Sequence, residues 1–154
     1  MSNIDNKHFN IRVYGLLINE RNEILLSDEE ERGVKFIKFP GGGLEYGEGL
    51  IDGLKREFIE ECNLKIEIIN HFYTTDFFIK SAFGNGEQLI SIYYLIKPLE
   101  QINFKIGKCE FDFDGQNEVS KQCFRFVALS SLTEENVTFP IDKKVVNLLK
   151  LYYE

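Results

Sequence analysis

Tryptophan is absent from this 154-residue chain, methionine occurs once, and there are only three prolines, three cysteines and two histidines. Cys62, Cys109 and Cys123 are widely and irregularly spaced. An odd count without a CxxC pair excludes a disulfide framework and a zinc-ligand spacing, so the expectation is buried free thiols. His8 and His71 stand apart, with no neighbouring triad pattern. Positive charge is also short: 18 Lys and Arg face 25 Asp and Glu, for a formal net charge of -7. That balance argues against nucleic acid as a partner, because binding its backbone requires a basic face. It leaves room for a small phosphorylated ligand, since a bound divalent cation reverses the local sign. No apolar run is long enough to span a bilayer, and the segment Met-Ser-Asn-Ile-Asp-Asn-Lys-His lacks the apolar core of a secretion signal. The expectation is a cytoplasmic protein with no membrane partner, in which the Asn136-Val137-Thr138 sequon carries no meaning.

What is present is a globular balance, with 44% hydrophobic and 28% charged residues. The length suits one domain spanning residues 1–154 with a full hydrophobic core. No repeat, low-complexity tract or linker divides it. Phe9 to Ile18 reads as a buried strand, Asn19-Glu20-Arg21-Asn22 as a turn and Glu23 to Ser27 as a second strand. Glu29 to Glu31 reads as a charged loop, and Lys35 to Phe39 as a short strand stopped by Pro40. Helical periodicity runs from Leu50 to Cys62, and Asn63 suits the left-handed stop. Lys65 to Phe78 alternates as one long or bent strand, Gly84-Asn85-Gly86 marks a turn, and Gln88 to Ile96 and Phe124 to Leu129 are further strands. Ile102, Phe104, Ile106, Cys109, Phe111 and Phe113 alternate with polar residues, which predicts an added hairpin over 102–113. A last helix follows Pro140. Strands interrupted by one helix and closed by another indicate a mixed α/β sandwich.

The stretch GGGLEYGEGLIDGLKREFIEECNL, from Gly41 to Leu64, carries the chemistry. At about 100° per residue, Ile51, Leu54, Phe58 and Cys62 form an apolar stripe. Glu57, Glu60 and Glu61 fall at i, i+3 and i+4, on an adjoining face. Like charges at this spacing destabilise a helix by about 0.2–0.5 kcal/mol per pair. A hard divalent cation removes that penalty and uses the oxygens as ligands. Arg56 lies one turn before Glu60 and can orient its carboxylate. An acidic helical run alone is more often a solvated face. The preceding Gly41-Gly42-Gly43, which lets backbone approach a ligand, and Gly53, which lets the loop fold onto the helix, shift that balance.

This stretch resembles the Nudix box, G-x5-E-x7-R-E-U-x-E-E-x-G-U, where U is a bulky apolar residue. Gly42, Glu48, Arg56-Glu57, Phe58, Glu60-Glu61 and Leu64 fall on its positions. Asn63 replaces the final glycine, and it too can enter the left-handed region. The flanking Phe39-Pro40 and the strand Phe124 to Leu129 before Ser130-Ser131-Leu132 also look like that family. The resemblance implies a Nudix α/β/α sandwich with a mixed sheet. It also implies hydrolysis of a nucleoside diphosphate linked to another moiety, with Mg2+ as cofactor and Mn2+ as a possible substitute. By the same resemblance Glu57, Glu61 and Glu60 are the expected metal ligands, with the Gly41 carbonyl as a further one. Glu48, Arg56, Glu57, Glu60 and Glu61 are the expected catalytic set.

A small nucleotide is the expected partner, met by Arg12, Lys38, Gly42 and Gly43. For a general base outside the box, Glu118 is the candidate, with Glu87, Glu110, Asp112 and Asp114 as rivals. Phe72, Tyr73, Phe77 and Phe78 are candidates for stacking on a base. The expected substrate is of the ADP-ribose or nucleotide-sugar type. The alternatives are a (d)NTP pyrophosphatase of the pool-cleaning type, a non-catalytic nucleotide sensor, or an interaction module with an acidic surface helix. In one pool-cleaning member of the family an acid precedes the aromatic of the late strand, whereas Arg125 precedes Phe126 here, a departure that mildly disfavours that alternative. The 102–113 hairpin would cover the substrate or build a homodimer.

Overall fold

The computed structural model describes residues 7–83 and 86–153. The expected turn at Gly84-Asn85-Gly86 thus falls mostly outside the described residues, as does the segment before Lys7. Seven strands and two α-helices follow in order: β1 (Phe9–Leu17), β2 (Glu23–Glu31), β3 (Val34–Lys38), β4 (Gly41–Gly43), α1 (Leu50–Cys62), β5 (Ile66–Thr74), β6 (Gln88–Pro98), β7 (Ser120–Ala128) and α2 (Pro140–Tyr152). One sheet has the order β4-β1-β6-β5 and the other β3-β2-β7. β1 runs parallel to β6, pairing Phe9 with Gln88 through to Leu17 with Ile96, while β4 and β5 pair antiparallel. The first sheet is therefore mixed.

Alternation along the central strands explains the layering, because successive side chains point to opposite faces. Val13 and Leu17 of β1, Leu25 of β2, and Ile92, Tyr94 and Ile96 of β6 pack with Leu54, Phe58 and Cys62 of α1. Their neighbours Tyr14, Leu16, Ile24, Leu26, Tyr93 and Leu95 pack with Ile141, Val145, Val146 and Leu149 of α2. Strands buried on both faces read as near-continuous apolar runs, as these do. The result is the α/β/α sandwich expected from the sequence. No helix among the described residues is long and apolar enough to cross a membrane.

Local signals place α1 where periodicity put it. Asn63 closes it in the left-handed region, at φ 49° and ψ 41°, and its N–H donates to the Ile59 carbonyl. The apolar stripe differs at one position: Gly53 is buried, whereas Ile51 is 42% exposed. Other boundaries also moved. Glu29–Glu31 continues β2 instead of forming a loop, because β3 and β7 pair with it on both sides as far as Glu31. β5 ends at Thr74, well short of Phe78, and its register slips twice. β7 begins at Ser120, four residues before Phe124. Cys62 and Cys123 are buried free thiols, but Cys109 is exposed.

The hairpin expected over 102–113 does not form. Ile102 and Phe104 pack on the α1-side core instead, with the Phe104 and Phe124 rings 5.1 Å apart. Ile106 makes a single parallel bridge to Phe124, and the Gly107 N–H donates to the Phe124 carbonyl at 2.7 Å. The segment thus lies along the outer edge of β7, where Ile102 and Phe104 find the core. A buried ion pair anchors it. Arg125 forks onto the fully buried Asp28, at 2.8 and 3.0 Å, and Asp28 also accepts the Phe111 N–H at 3.0 Å.

Breaking a buried pair costs more than replacing it, since the surviving charge stays desolvated. Arg125→Met is therefore expected to lower unfolding free energy by about 3–5 kcal/mol. The double variant Asp28→Leu/Arg125→Met should recover much of that loss in urea denaturation. Equal instability of the single and double variants would contradict this account.

Candidate active site

The loop after β4 folds back over the start of α1, and glycine makes this possible. A Cβ on Gly53 would lie 2.6 Å from the Leu44 side chain and 2.9 Å from a Glu48 oxygen. A Cβ on Gly42 would lie 2.7 Å from the carboxyl atoms of Glu57. Both are closer than a real Cβ comes, so a side chain at either position would push Leu44, Glu48 or Glu57 out of its present rotamer.

Arg56 binds the parts together. Its Nε donates to both Glu48 oxygens, at 3.2 and 2.9 Å, and Nη2 to Glu48 Oε1 at 2.6 Å. Nη2 also donates to the Gly43 carbonyl at 3.0 Å, and Nη1 to Glu57 Oε1 and Glu60 Oε2, each at 3.1 Å. This uses the planar fork as a lysine ammonium could not. The Arg56 hydrogen bonds, followed by the Glu45 N–H, draw the Glu48 carboxyl down to about 2. Glu48, followed by Glu57, holds the Arg56 guanidinium well above its ordinary value.

The acids of α1 divide by exposure. The Glu57 side chain is 12% exposed, whereas that of Glu60 is 56% exposed and drawn outward by Arg56. Glu61 turns toward the sheet, where Gln122 of β7 donates to its Oε2 at 3.3 Å. Gln122 donates to Ser27 Oγ as well, and Ser27 donates to Glu29 Oε2 at 2.8 Å. Lys38 completes this second cluster, with Nζ 3.0 Å from Glu29 Oε2 and 3.1 Å from the Gly41 carbonyl. Burial is the chief reason that Glu61 titrates at about 7; Glu29 and Glu57 push the same way, against Lys38 and Gln122.

Beyond Glu29 and Lys38 opens a cleft of about 420 Å³. Arg12 and Tyr14 line it on the charged side, and Phe36, Phe83 and Phe139 form an aromatic wall, with centroids 5.1 to 5.7 Å apart. Arg12 Nε donates to the Tyr14 hydroxyl, and Arg12 and Lys38 both lie over the Tyr14 ring. On the floor, Tyr93 donates to the buried Asp142, whose carboxyl burial raises to about 6.

The structure thus gathers Glu48, Arg56, Glu57, Glu60 and Gly43 into one network, and Glu61, Lys38 and Gly41 into its neighbour. Ser27, Glu29 and Gln122 were missed from sequence. Their signal was a register: Glu29 pairs with Gln122, and Ser27 with Lys38, once β2 is allowed to run to Glu31. The aromatic candidates also changed. Tyr73 is a core residue and Phe72 packs edge-on against Tyr152, while Phe36, Phe83 and Phe139 face the cleft. Glu118 is exposed and accepts the N–H of its neighbour Asn117, and Asp112 is held by Lys105 and the Lys108 N–H. Glu87 alone among the rival acids lines the cleft.

Among the described residues, no three acidic, His or Cys side chains are disposed to form a metal cage by themselves. Arg56 and Gln122 hold the carboxylates apart. Magnesium, however, commonly takes one or two carboxylates and completes its shell with water and substrate phosphates. The donor set fits that demand: two carboxylates and a loop carbonyl are all hard oxygens. Burial, then the neighbouring Glu29 and Glu57, disfavour charge on the Glu61 carboxyl, and a divalent cation beside it would offset that penalty.

A family model described as NUDIX domain matches residues 8–147. No curated protein sequence matches the chain. Among solved structures, a NUDIX hydrolase from Nitrosomonas europaea superposes with a TM-score of 0.68 at 17% identity, over 93% of this chain and 89% of that one. A MutT protein from Methanosarcina mazei Go1 gives 0.63 at 18% identity, over 96% and 95%. An ADP-ribose pyrophosphatase from Streptococcus suis 89-1591 gives 0.59 at 16% identity, over 94% and 92%. At such identities the likeness establishes the fold.

Glu61 makes the metal-free protein sensitive to pH. The folded state binds its proton more tightly than the unfolded chain does, so the contribution of Glu61 to stability falls as pH rises from about 4.5 through about 7. Glu61→Gln removes that contribution. The melting-temperature advantage of Glu61→Gln over the parent should grow across this range in EDTA; a difference that is flat with pH would refute the assignment.

Proposed function

The chain belongs to the Nudix family, and from that premise we propose a divalent-metal-dependent pyrophosphohydrolase acting on a nucleoside diphosphate linked to another moiety, of the ADP-ribose or nucleotide-sugar type. One observation carries the reading: the carboxylates of α1, held by Arg56 and Gln122, connect through Glu29, Lys38 and the Gly41 carbonyl to a cleft with cations at one end and an aromatic wall at the other. A diphosphate with an aromatic base has that same polarity.

The family implies Mg2+, with Mn2+ as a substitute, and Glu57, Glu61 and the Gly41 carbonyl are the donors proposed to hold it, with Glu60 at the margin. When bound, such an ion neutralises phosphate oxygens and lowers the pKa of bound water. The protein's own groups do the rest. Arg56, braced by Glu48, fixes the Glu57 rotamer against the glycine loop. Arg12 and Lys38 meet the anionic diphosphate, alongside the backbone of Gly42. The backbone of Gly43, whose carbonyl accepts from Arg56 at 3.0 Å, is the further contact proposed beside it. Phe36, Phe83 and Phe139 supply flat apolar surface for a base, and Asp142, Ser91 and Asn10 supply polar contacts nearby. The substrate is a small molecule.

Phosphatase-coupled phosphate release with ADP-ribose, nucleotide sugars, dinucleoside polyphosphates and (d)NTPs, each with Mg2+ or with EDTA, tests the reading. Turnover of ADP-ribose or a nucleotide sugar only with Mg2+ is the expected result. Turnover confined to (d)NTPs would move the enzyme to the pool-cleaning class, and failure of every substrate would favour a nucleotide sensor. Glu57→Gln should fall to background turnover with an unchanged circular dichroism spectrum. Arg56→Lys keeps the charge but loses the fork, and should lose about 10–100-fold in kcat, the usual cost of disturbing groups that orient metal ligands.

A further inference from the structure

Lys38 differs from Arg12, the other cation of the cleft, in being fully committed. An ammonium has three donors. Three acceptors surround this one: Glu29 Oε2 at 3.0 Å, the Gly41 carbonyl at 3.1 Å and the Phe39 carbonyl at 3.4 Å. The side chain is only 7% exposed, and the Tyr14 ring centroid lies 5.5 Å from Nζ. Burial alone would lower its pKa, but Glu29, then Tyr14 and Glu61, hold it above the ordinary lysine value, so the group stays charged.

The Gly41 carbonyl is thus the meeting point of two roles. It is the loop oxygen proposed above as a metal donor, and it already accepts from Lys38. A lysine ammonium and a divalent cation repel at this range and would compete for the same lone pairs. The lysine stem is long and flexible, and the cleft that it lines is open toward Arg12. We propose that Lys38 is an internal counter-cation which holds the Gly41 carbonyl and Glu29 in the metal-free protein, gives up that carbonyl when a divalent cation is taken up, and then presents its charge to the diphosphate in the cleft. Metal uptake and substrate binding are thereby coupled through one side chain, with no movement of the backbone. This inference rests on the assignment of Gly41, Glu57 and Glu61 to the metal.

Two measurements on substrate-free protein test it. In the parent protein, reductive methylation of Lys38, followed by mass spectrometry, should be slow in EDTA and rise severalfold at saturating Mg2+. In Glu57→Gln it should stay slow at the same Mg2+ concentration. In Mn2+ titrations by calorimetry, Lys38→Met should bind about tenfold more tightly than the parent, a change of the size that groups flanking metal ligands produce. If the parent binds Mg2+ while Lys38 labelling stays unchanged, the displacement is wrong and the metal assignment survives. If the parent binds neither ion, the metal assignment fails and this inference with it. The labelling arm uses the parent chain, so instability of Lys38→Met does not remove the test.

Discussion

The site depends on one guanidinium. Arg56 sits where the glycine loop, the helix and the acidic residues meet, and each of its nitrogens has an acceptor there. Without it, Glu48 and Glu57 would repel across the loop, and the Gly43 carbonyl would lose its donor. Charge-assisted, forked hydrogen bonds are stronger and more directional than single ones. Here that directionality converts a flexible loop into a defined wall beside α1. Gly42 and Gly53 are the steric counterpart, since each leaves the space that a carboxylate or the loop occupies.

A second layer is set by the sheet and obeys a different balance. Around Lys38 the chain brings together Glu29, Glu61 and the hydroxyl and amide of Ser27 and Gln122, from β2, β7 and α1. Arg56 satisfies the carboxylates on the loop side and Lys38 pairs with Glu29 on the sheet side, leaving Glu61 between them with its carboxyl pushed up to about 7, chiefly by burial. An overall acidic protein thus carries a cleft whose charged end is cationic at Arg12 and Lys38 and acidic immediately behind them. That juxtaposition suits a ligand that is anionic and accompanied by its own cation.

Arg125 illustrates how a residue comparison gains meaning from its surroundings. From sequence it was a departure from the pool-cleaning pattern. In the fold it is spent on Asp28, away from the cleft, and the pair fastens the 101–119 segment along β7. That same segment clamps the Gln122 backbone through reciprocal bonds with the Gln116 side chain, at 2.9 and 3.1 Å. The segment thereby steadies the strand that positions Glu61's partner.

The sequence alone determined what short-range physics controls. The spacing of Leu54, Phe58 and Cys62 placed one face of α1 in the core; Asn63 ended it; and Gly42, Glu48, Arg56 and Glu57 were recognisable because the loop and the helix are contiguous in the chain. A mixed α/β sandwich was legible too, from strands interrupted by one helix and closed by another, and its α/β/α layering followed from the resemblance to the Nudix family. Tertiary structure decided everything that required distant segments to meet. The extension of β2 to Glu31 depends on partners on both sides, so three consecutive glutamates looked like a loop. Alternating apolar residues at 102–113 suggested self-pairing, but Ile102 and Phe104 pack on the core beside β7 instead. Ser27, Glu29 and Gln122 joined the site through strand register, and Phe36, Phe83 and Phe139 became a wall only when residues far apart in sequence closed over one cleft. Periodicity shows which face of an element is buried; it carries no information about which other element will cover it.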